Sequence, residues 1–329
     1  MFEPDLDAIA SWIKKRGYGT VAVQLPEGLK SDALRISDFL SISTGAEIIV
    51  LGDPCYGACD LFTDYRSYAD ALVHLGHSPI HPQENDDDVL FIEVRVDVDI
   101  EKAVRKAAEK LPKRIGLLAT VQYIGLIPKA KEILESVGKE VFVGEGDLRI
   151  FYPGQVLGCN FSAVTSVNDK VDAFLYLGEG NFHPLAAAFG VKKEMIIINP
   201  LTGGIGTADE EKDRMLRKRF AQIEVAKKAE SFLVIVCTKS GQNRTAAADS
   251  IIDKVKEQGK SAYKLLINDI SPEALRPYRV DAYINTACPR IAMDDSARYS
   301  KPMLTITEAE IALGLRKWDD YEFDSITNP

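Results

Sequence analysis

The segments ADALVHLGH (69–77), VDAFLYLGEG (171–180) and VDAYINTAC (280–288) repeat one pattern, and this repeat indicates how the chain folds. Each begins with Ala or Val, continues with Asp-Ala, and ends in a largely apolar run that is typical of a buried β-strand. Other apolar runs such as TVAVQL (20–25) alternate with amphipathic helical patterns. This alternation predicts parallel sheets with right-handed crossovers and helices on both faces. We therefore predict an α/β fold of three similar domains, each a small parallel sheet flanked by helices.

The domain boundaries are placed where the pattern restarts. The first round ends with a helix capped by Asp99, and the second starts at the strand RIGLLAT (114–120). The third starts at SFLVIVCT (231–238), after a charged helix over about 208–230. The predicted domains are residues 1–110, 111–205 and 206–329. One large doubly wound domain with a smaller one is the alternative, and the recurring Asp-Ala segments favour the threefold repeat.

Composition narrows the class of protein. The chain has 329 residues, 46% hydrophobic and 27% charged, which is ordinary for a soluble globular protein. Its net charge of −9 argues against a nucleic-acid partner, which would require a basic surface. No apolar run approaches the ~18 residues of a membrane span, and residues 1–19 do not resemble a signal peptide. Five cysteines fit a reducing compartment, so we expect a cytoplasmic location.

Three cysteines stand far apart at comparable places in the repeat. Cys59 lies in DPCYGACD and Cys159 in QVLGCN, both after the second apolar run of a round, whereas Cys288 in NTACPRIAMDD comes one strand later. Parallel α/β sheets bind ligands at the carboxyl ends of their strands, so the fold can bring these thiols together. On a 4Fe-4S cluster, three thiolates would leave one iron without a protein ligand. Spacing alone leaves a metal site and buried structural cysteines equally plausible.

The other two cysteines are predicted not to be ligands. Cys237 lies inside the apolar run SFLVIVCT and is interpreted as structural. Cys55 forms a C-x-x-x-C pair with Cys59, which could hold a metal locally. No C-x-x-C follows to complete a three-cysteine loop, so we interpret Cys55 as a neighbour of the site.

Several motifs together resemble one enzyme family. They are LPEGLK (25–30), DPCYGACD (53–60), ADALVHLGHS (69–78), VLGCN (156–160) and NTACPRIAMDD (285–295). They resemble the archaeal diphthamide-biosynthesis enzymes, the 2-(3-amino-3-carboxypropyl)histidine synthases. The resemblance extends over nearly the entire chain, and YGACD followed by HLGHS is its most specific part.

The resemblance implies three α/β domains in a pseudo-threefold arrangement around a central 4Fe-4S cluster held by Cys59, Cys159 and Cys288, in a homodimer. It implies a transferase that uses S-adenosylmethionine as co-substrate and needs an electron donor. In this family a 3-amino-3-carboxypropyl radical is released from the sulfonium, with methylthioadenosine as by-product. The radical adds to the imidazole C2 of a histidine in translation elongation factor 2, the first step of diphthamide biosynthesis. No catalytic residue is assigned beyond the cluster.

Four residues are predicted to line the S-adenosylmethionine pocket. Gly241 and Gln242 lie in a loop between a strand and a helix, where backbone amides can bind a carboxylate or a ribose. His77 of HLGHS and Glu179 of GEGNFH follow strand ends of the first and second rounds. An ordinary βα loop or turn explains each of these positions equally well.

Two other functions remain as alternatives. A quinolinate synthase-like 4Fe-4S dehydratase also draws one cysteine from each of three repeats, and its open iron acts as a Lewis acid. A non-catalytic iron–sulfur partner subunit is the second alternative. The YGACD–HLGHS combination favours the diphthamide enzymes over the dehydratase, and three retained cysteine positions argue against a scaffold.

Overall fold

The computed structural model describes residues 4–327, apart from the side chain of Glu84. The strands are β1 (Thr20–Gln24), β2 (Glu47–Val50), β3 (Ala71–Leu75), β4 (Val89–Ile92), β5 (Arg114–Ala119), β6 (Glu140–Phe142), β7 (Ala173–Leu177), β8 (Met195–Ile198), β9 (Ile205–Thr207), β10 (Ser231–Cys237), β11 (Ser261–Ile267), β12 (Ala282–Asn285) and β13 (Met303–Leu304). The α-helices are α1 (Leu6–Arg16), α2 (Ala33–Thr44), α3 (Glu101–Ala108), α4 (Ile127–Ser136), α5 (Ser162–Thr165), α6 (Phe182–Phe189), α7 (Asp209–Ala226), α8 (Thr245–Glu257), α9 (Pro272–Leu275), α10 (Pro289–Asp294) and α11 (Ile306–Ala312).

These strands form three small sheets with one common order. The first sheet is β2-β1-β3-β4, the second is β6-β5-β7-β8-β9, and the third is β11-β10-β12-β13. In each sheet the strand that comes first in the chain lies between the second and the third. Every pairing is parallel except the one between β8 and β9. The predicted α/β fold with three helix-flanked sheets is confirmed.

The repeated Asp-Ala dipeptide has one structural role in all three sheets. The carboxylates of Asp70 and Asp281 each accept two backbone N–H bonds, 2.9–3.1 Å long, at the start of the first strand of their sheet. Asp172 forms a bidentate ion pair with Arg114, at the start of β5. The carboxylate therefore joins the start of the third strand to that of the first, satisfying groups that a strand end leaves open.

The strands are buried on both faces, as the apolar runs predict. In β1, Val21 and Val23 belong to the core beneath α1 and α2, whereas Ala22 packs on the opposite face. In β10, Phe232 and Leu233 separate in the same way between two cores. This double burial explains why the runs are continuously apolar instead of alternating.

One short strand was not foreseen from the sequence. The glycine-rich segment 203–206 has the composition of a linker, but Ile205–Thr207 pairs antiparallel with β8 at the edge of the second sheet. The three sheets lie within residues 20–92, 114–207 and 231–304. The domain division at 110 and 205 stays a prediction.

A buried ion pair fixes the third sheet's helices. Arg219 of α7 and Glu308 of α11 are both inaccessible to solvent and are joined by two hydrogen bonds of 2.5 and 2.7 Å. The guanidinium also donates to the backbone oxygens of Ala292 and Met303, both at 2.6 Å. Within residues 4–327, no helix combines the length and apolarity needed to cross a bilayer.

Candidate metal centre and adjoining cavities

A cavity of about 520 Å³ lies where loops of all three sheets meet, and the three predicted ligands line it. Cys59 lies in the 3₁₀ turn Ala58–Asp60, which follows β2. Cys159 lies in the loop before α5, where its carbonyl accepts a bond from Ile326 N at 2.7 Å. Cys288 is the N-cap residue of α10, directly after β12. The fold thus brings together three thiols that are remote in sequence.

The thiols are close enough to influence one another electrostatically. Burial raises the pKa of Cys59 well above its usual value, and the neighbouring Asp60, Cys159 and Cys288 raise it further. Burial, followed by Cys159, raises the pKa of Cys288 to about 12. Three such thiols lose their protons together only when a strong positive charge compensates them. A soft, multivalent iron–sulfur group meets that requirement.

Two buried arginines next to the thiols add positive charge. Burial raises the pKa of Cys159, and the guanidinium of Arg149 acts against that rise. Arg290 has the same opposing effect on the pKa of Cys288. Neither arginine was identified from the sequence. Arg290, two residues beyond Cys288, offered a local signal, whereas Arg149 lies in an undistinguished loop.

The Nη1 donor of Arg290 is also open. Its side chain lies 4.0 Å from the ring centroid of Phe182 and pairs with Asp294 at 2.8–2.9 Å. Within the described part of the chain, its buried Nη1 has no hydrogen-bond partner. A buried guanidinium with a free donor at a cavity is suited to binding a carboxylate or another anion.

The predicted pair Gly241 and Gln242 lies against the Cys59 turn. A Cβ on Gly241 would lie 2.4 Å from Cys59 Cα, so this approach excludes every side chain. Gln242 Nε2 donates to Asp60 Oδ1 at 2.9 Å and lies 3.5 Å from Cys59 Sγ. Lys239 pairs with the same Asp60 carboxylate at 3.0 Å. Gln242 therefore lines the cavity and holds the Cys59 turn in place.

A second cavity of about 330 Å³ adjoins the first. His77 and His183 line both cavities, whereas Glu179 lines only the second. The Glu179 carboxylate accepts a 2.7 Å bond from the Tyr123 hydroxyl. His77 is thus placed beside the predicted cofactor pocket, and contact between Glu179 and S-adenosylmethionine stays a prediction.

The remaining cysteines differ from the three in their surroundings. Cys237 also lines the larger cavity, but its Sγ lies 3.4 Å from the carbonyl oxygen of Asn268. Cys55 is buried behind the cavity wall, with Sγ within 4.8 Å of ring nitrogens of His74 and His77. That arrangement is compatible with a metal ion, although the two histidines are already hydrogen-bonded to each other at 3.0 Å.

The fold and the site define a class: a three-sheet α/β protein in which the loops of each sheet contribute one thiol to a shared cavity. The chain belongs to the family described as "Putative diphthamide synthesis protein", whose model matches residues 25–323. The match confirms the resemblance found in the sequence motifs.

Individual relatives agree with this assignment. The chain is 39% identical to the 2-(3-amino-3-carboxypropyl)histidine synthase of Pyrococcus horikoshii over 320 residues, covering 95% of this chain and 91% of that protein. It is 30% identical to subunit 1 of the Homo sapiens synthase, covering 91% of this chain and 69% of that protein. A crystal structure of Dph2 from Pyrococcus horikoshii with a 4Fe-4S cluster superposes with a TM-score of 0.90 at 36% identity, covering 100% of this chain and 95% of that one.

Proposed function

We propose that this protein is a 2-(3-amino-3-carboxypropyl)histidine synthase. As a transferase it moves the 3-amino-3-carboxypropyl group of S-adenosylmethionine to the imidazole C2 of a histidine in translation elongation factor 2, the first step of diphthamide biosynthesis. One observation carries the proposal: in a chain of this family, three sheets each deliver a cysteine to a single cavity.

Cys59, Cys159 and Cys288 would hold the 4Fe-4S cluster. When bound, the cluster supplies an electron and an open iron for cleaving the sulfonium, and so makes the radical available for transfer. The chain itself buries Cys159, half-buries Cys59 and Cys288, and places Arg149 and Arg290 beside them. Those cations offset the negative charge of a thiolate-ligated cluster and favour its assembly in this cavity.

S-Adenosylmethionine would occupy the larger cavity. The open Nη1 of Arg290 is the natural partner for its carboxylate, since a charge-assisted bond would satisfy a buried donor. Gln242 and His77 line the same cavity. Gly241 has no side chain, which allows the loop that carries Gln242 to pack closely against Cys59. Glu179 is retained as a further candidate contact, from the adjoining cavity. Rigid placement of the sulfonium selects which C–S bond breaks.

The remaining assignments rest on the family resemblance. They are elongation factor 2 as the protein substrate, an external electron donor, a homodimer, a cytoplasmic location and an archaeal source. The cavity's position among loops of three sheets is compatible with a protein substrate, because loops can admit a protruding histidine.

One anaerobic experiment tests the proposal. The protein is loaded with iron and sulfide, reduced with dithionite, and given carboxypropyl-labelled S-adenosylmethionine and elongation factor 2. We expect methylthioadenosine and label on one histidine of the elongation factor. An intact cluster that yields no methylthioadenosine would contradict the proposal, and quinolinate formation from iminoaspartate and dihydroxyacetone phosphate would establish the dehydratase alternative.

A further inference from the structure

A chain of hydrogen bonds behind the cavity wall begins at Gln24, whose amide orientation is determined by its partners. Gln24 Nε2 donates to the carbonyl of Asp60 at 2.8 Å, and Oε1 accepts the backbone N–H of Phe62 at 3.2 Å. The same Oε1 lies 2.9 Å from Nδ1 of the buried His74. Because Oε1 can only accept, the network assigns the His74 proton to Nδ1.

The tautomer of His74 in turn determines that of His77. With its proton on Nδ1, neutral His74 presents a lone pair at Nε2, which lies 3.0 Å from His77 Nδ1. His77 must therefore donate from Nδ1, and its Nε2 is left as a bare acceptor. Burial lowers the pKa of His77 to about 4 and that of His74 well below its usual value, so both rings are neutral at pH 7.

His77 stands at the wall that the two cavities share. Thr120, Gln122 and His183 line both cavities with it, and the smaller one also contains Glu179, whose carboxylate is held by Tyr123. The smaller cavity thus offers acceptors from more than one wall. At about 330 Å³ it has ample room for an imidazole ring, and it lies directly beside the cavity that contains the three cysteines.

We propose that the smaller cavity receives the acceptor histidine of the protein substrate, and that His77 Nε2 accepts a hydrogen bond from its ring N–H. The inference rests on the proposed function and adds the position of the second substrate. Imidazole C2 lies between the two ring nitrogens, so a bond at one nitrogen determines where C2 is held. Gln24 and His74 are positioning residues, because they act only by setting the His77 tautomer. The ammonium group of S-adenosylmethionine is the other N–H source that the experiments must distinguish.

The tautomer can be tested without measuring activity. Nitrogen NMR of ¹⁵N-histidine-labelled protein distinguishes a protonated from a bare ring nitrogen, and the chain has only four histidines to assign. We expect a protonated Nδ1 and a bare Nε2 on His77. A proton on His77 Nε2 would overturn the inference whatever the enzyme does.

Two substitutions at His77 test its contact. His77→Phe keeps a ring but removes the acceptor, and His77→Gln places an amide oxygen near the position of Nε2. With each variant, methylthioadenosine is measured without elongation factor 2, and labelled elongation factor is measured separately. We expect His77→Phe to cut histidine labelling about tenfold more than it cuts methylthioadenosine formation, and His77→Gln to recover part of the labelling. Equal loss of both products would assign the bond to the co-substrate ammonium and overturn the proposal.

A glycine pair tests the cavity itself. Gly28, in the 3₁₀ turn after β1, lines the smaller cavity, and a Cβ there would meet nothing within 4 Å. Gly125, in the corresponding turn after β5, is equally unobstructed and lines neither cavity. We expect Gly28→Leu to raise the KM for elongation factor 2 about tenfold and Gly125→Leu to leave it unchanged. Equal KM values for the two variants would exclude the smaller cavity as the site of the acceptor histidine. If wild type makes no methylthioadenosine, the proposed function fails, and the NMR result stands separately.

Discussion

Two buried arginines, Arg219 and Arg290, lie near the same helix but in opposite situations. Arg219 bonds to both oxygens of Glu308 and to two backbone carbonyls, one of them that of Ala292 in α10. Arg290, also in α10, pairs with the carboxylate of Asp294, and its Nη1 has no partner among the residues described. A buried cation with all its donors satisfied holds the fold together, whereas one with an open donor is prepared for a ligand.

The cysteines divide in the same way. Cys237 has a backbone oxygen at 3.4 Å, so its place at the cavity is accounted for by the protein itself. Cys159 and Cys288 instead raise the pKa of Cys59, and Cys159 raises that of Cys288, so these thiols gain from a metal group that the chain does not supply. This contrast between core groups and cavity groups leads to four predictions.

Removing a proposed ligand should have the largest effect. Cys59→Ala, Cys159→Ala or Cys288→Ala should each abolish formation of a stable 4Fe-4S cluster, because two thiolates cannot hold it in place. Iron and sulfide content and visible absorbance after anaerobic loading measure this. The control variants Cys237→Ala and Cys55→Ala should load normally, and cluster loss in Cys55→Ala would overturn the choice of ligands.

Arg219, whose donors are all hydrogen-bonded, should contribute to the stability of the fold. Arg219→Met leaves Glu308 as a buried, unpaired carboxylate and should lower the free energy of unfolding by about 3–5 kcal/mol. Urea denaturation of the variant measures the loss. The double variant Arg219→Met/Glu308→Met removes the stranded charge and should regain much of the stability. If the double variant is no better than the single one, the unpaired charge is not the cause.

Arg290, with its free Nη1 donor, should instead contribute to the binding of S-adenosylmethionine. Arg290→Met should weaken S-adenosylmethionine binding by about 10- to 100-fold, the value of one charged hydrogen bond, while changing unfolding by less than about 1 kcal/mol. Calorimetric titration of the loaded protein and urea denaturation provide the two measurements. Arg276→Met, at an exposed position, is the matched control. A stability loss as large as that of Arg219→Met would remove the contrast between the two arginines.

Three histidines, two that line the cavities and one behind their wall, should make stability fall in mild acid. Burial lowers the pKa of His77 to about 4, that of His183 to about 3, and that of His74 well below 6.5. Between pH 6.5 and about 4 the unfolded chain therefore binds more protons than the native one, so stability decreases as pH falls. Each histidine contributes up to about 1.4 kcal/mol per pH unit. His183→Phe should reduce the slope of unfolding free energy against pH by the equivalent of about one proton. An unchanged slope would contradict the lowered pKa of His183.

Local sequence patterns predicted much of the architecture. The Asp-Ala segments identified the third strand of each sheet, and the structure adds the reason, which is the contact of Asp70, Asp172 and Asp281 with the first strand. The short strand β9 escaped prediction because a three-residue strand that follows two glycines and contains a third carries no periodic signal. Arg149 escaped because its proximity to Cys159 arises only from folding.

The α/β class, the threefold repeat, the family and the three candidate thiols all follow from the amino-acid sequence alone. Each of these depends on residue type and local order, which a linear pattern preserves. Only folding shows which buried groups keep a hydrogen-bonding position unused. Arg290 keeps a free donor and Arg219 does not, and the contacts of Gln24 and His74 leave a free acceptor on His77. Hydrogen-bond partners come from chain segments far apart in sequence, so the state of a donor or a ring nitrogen is a property of the packed molecule.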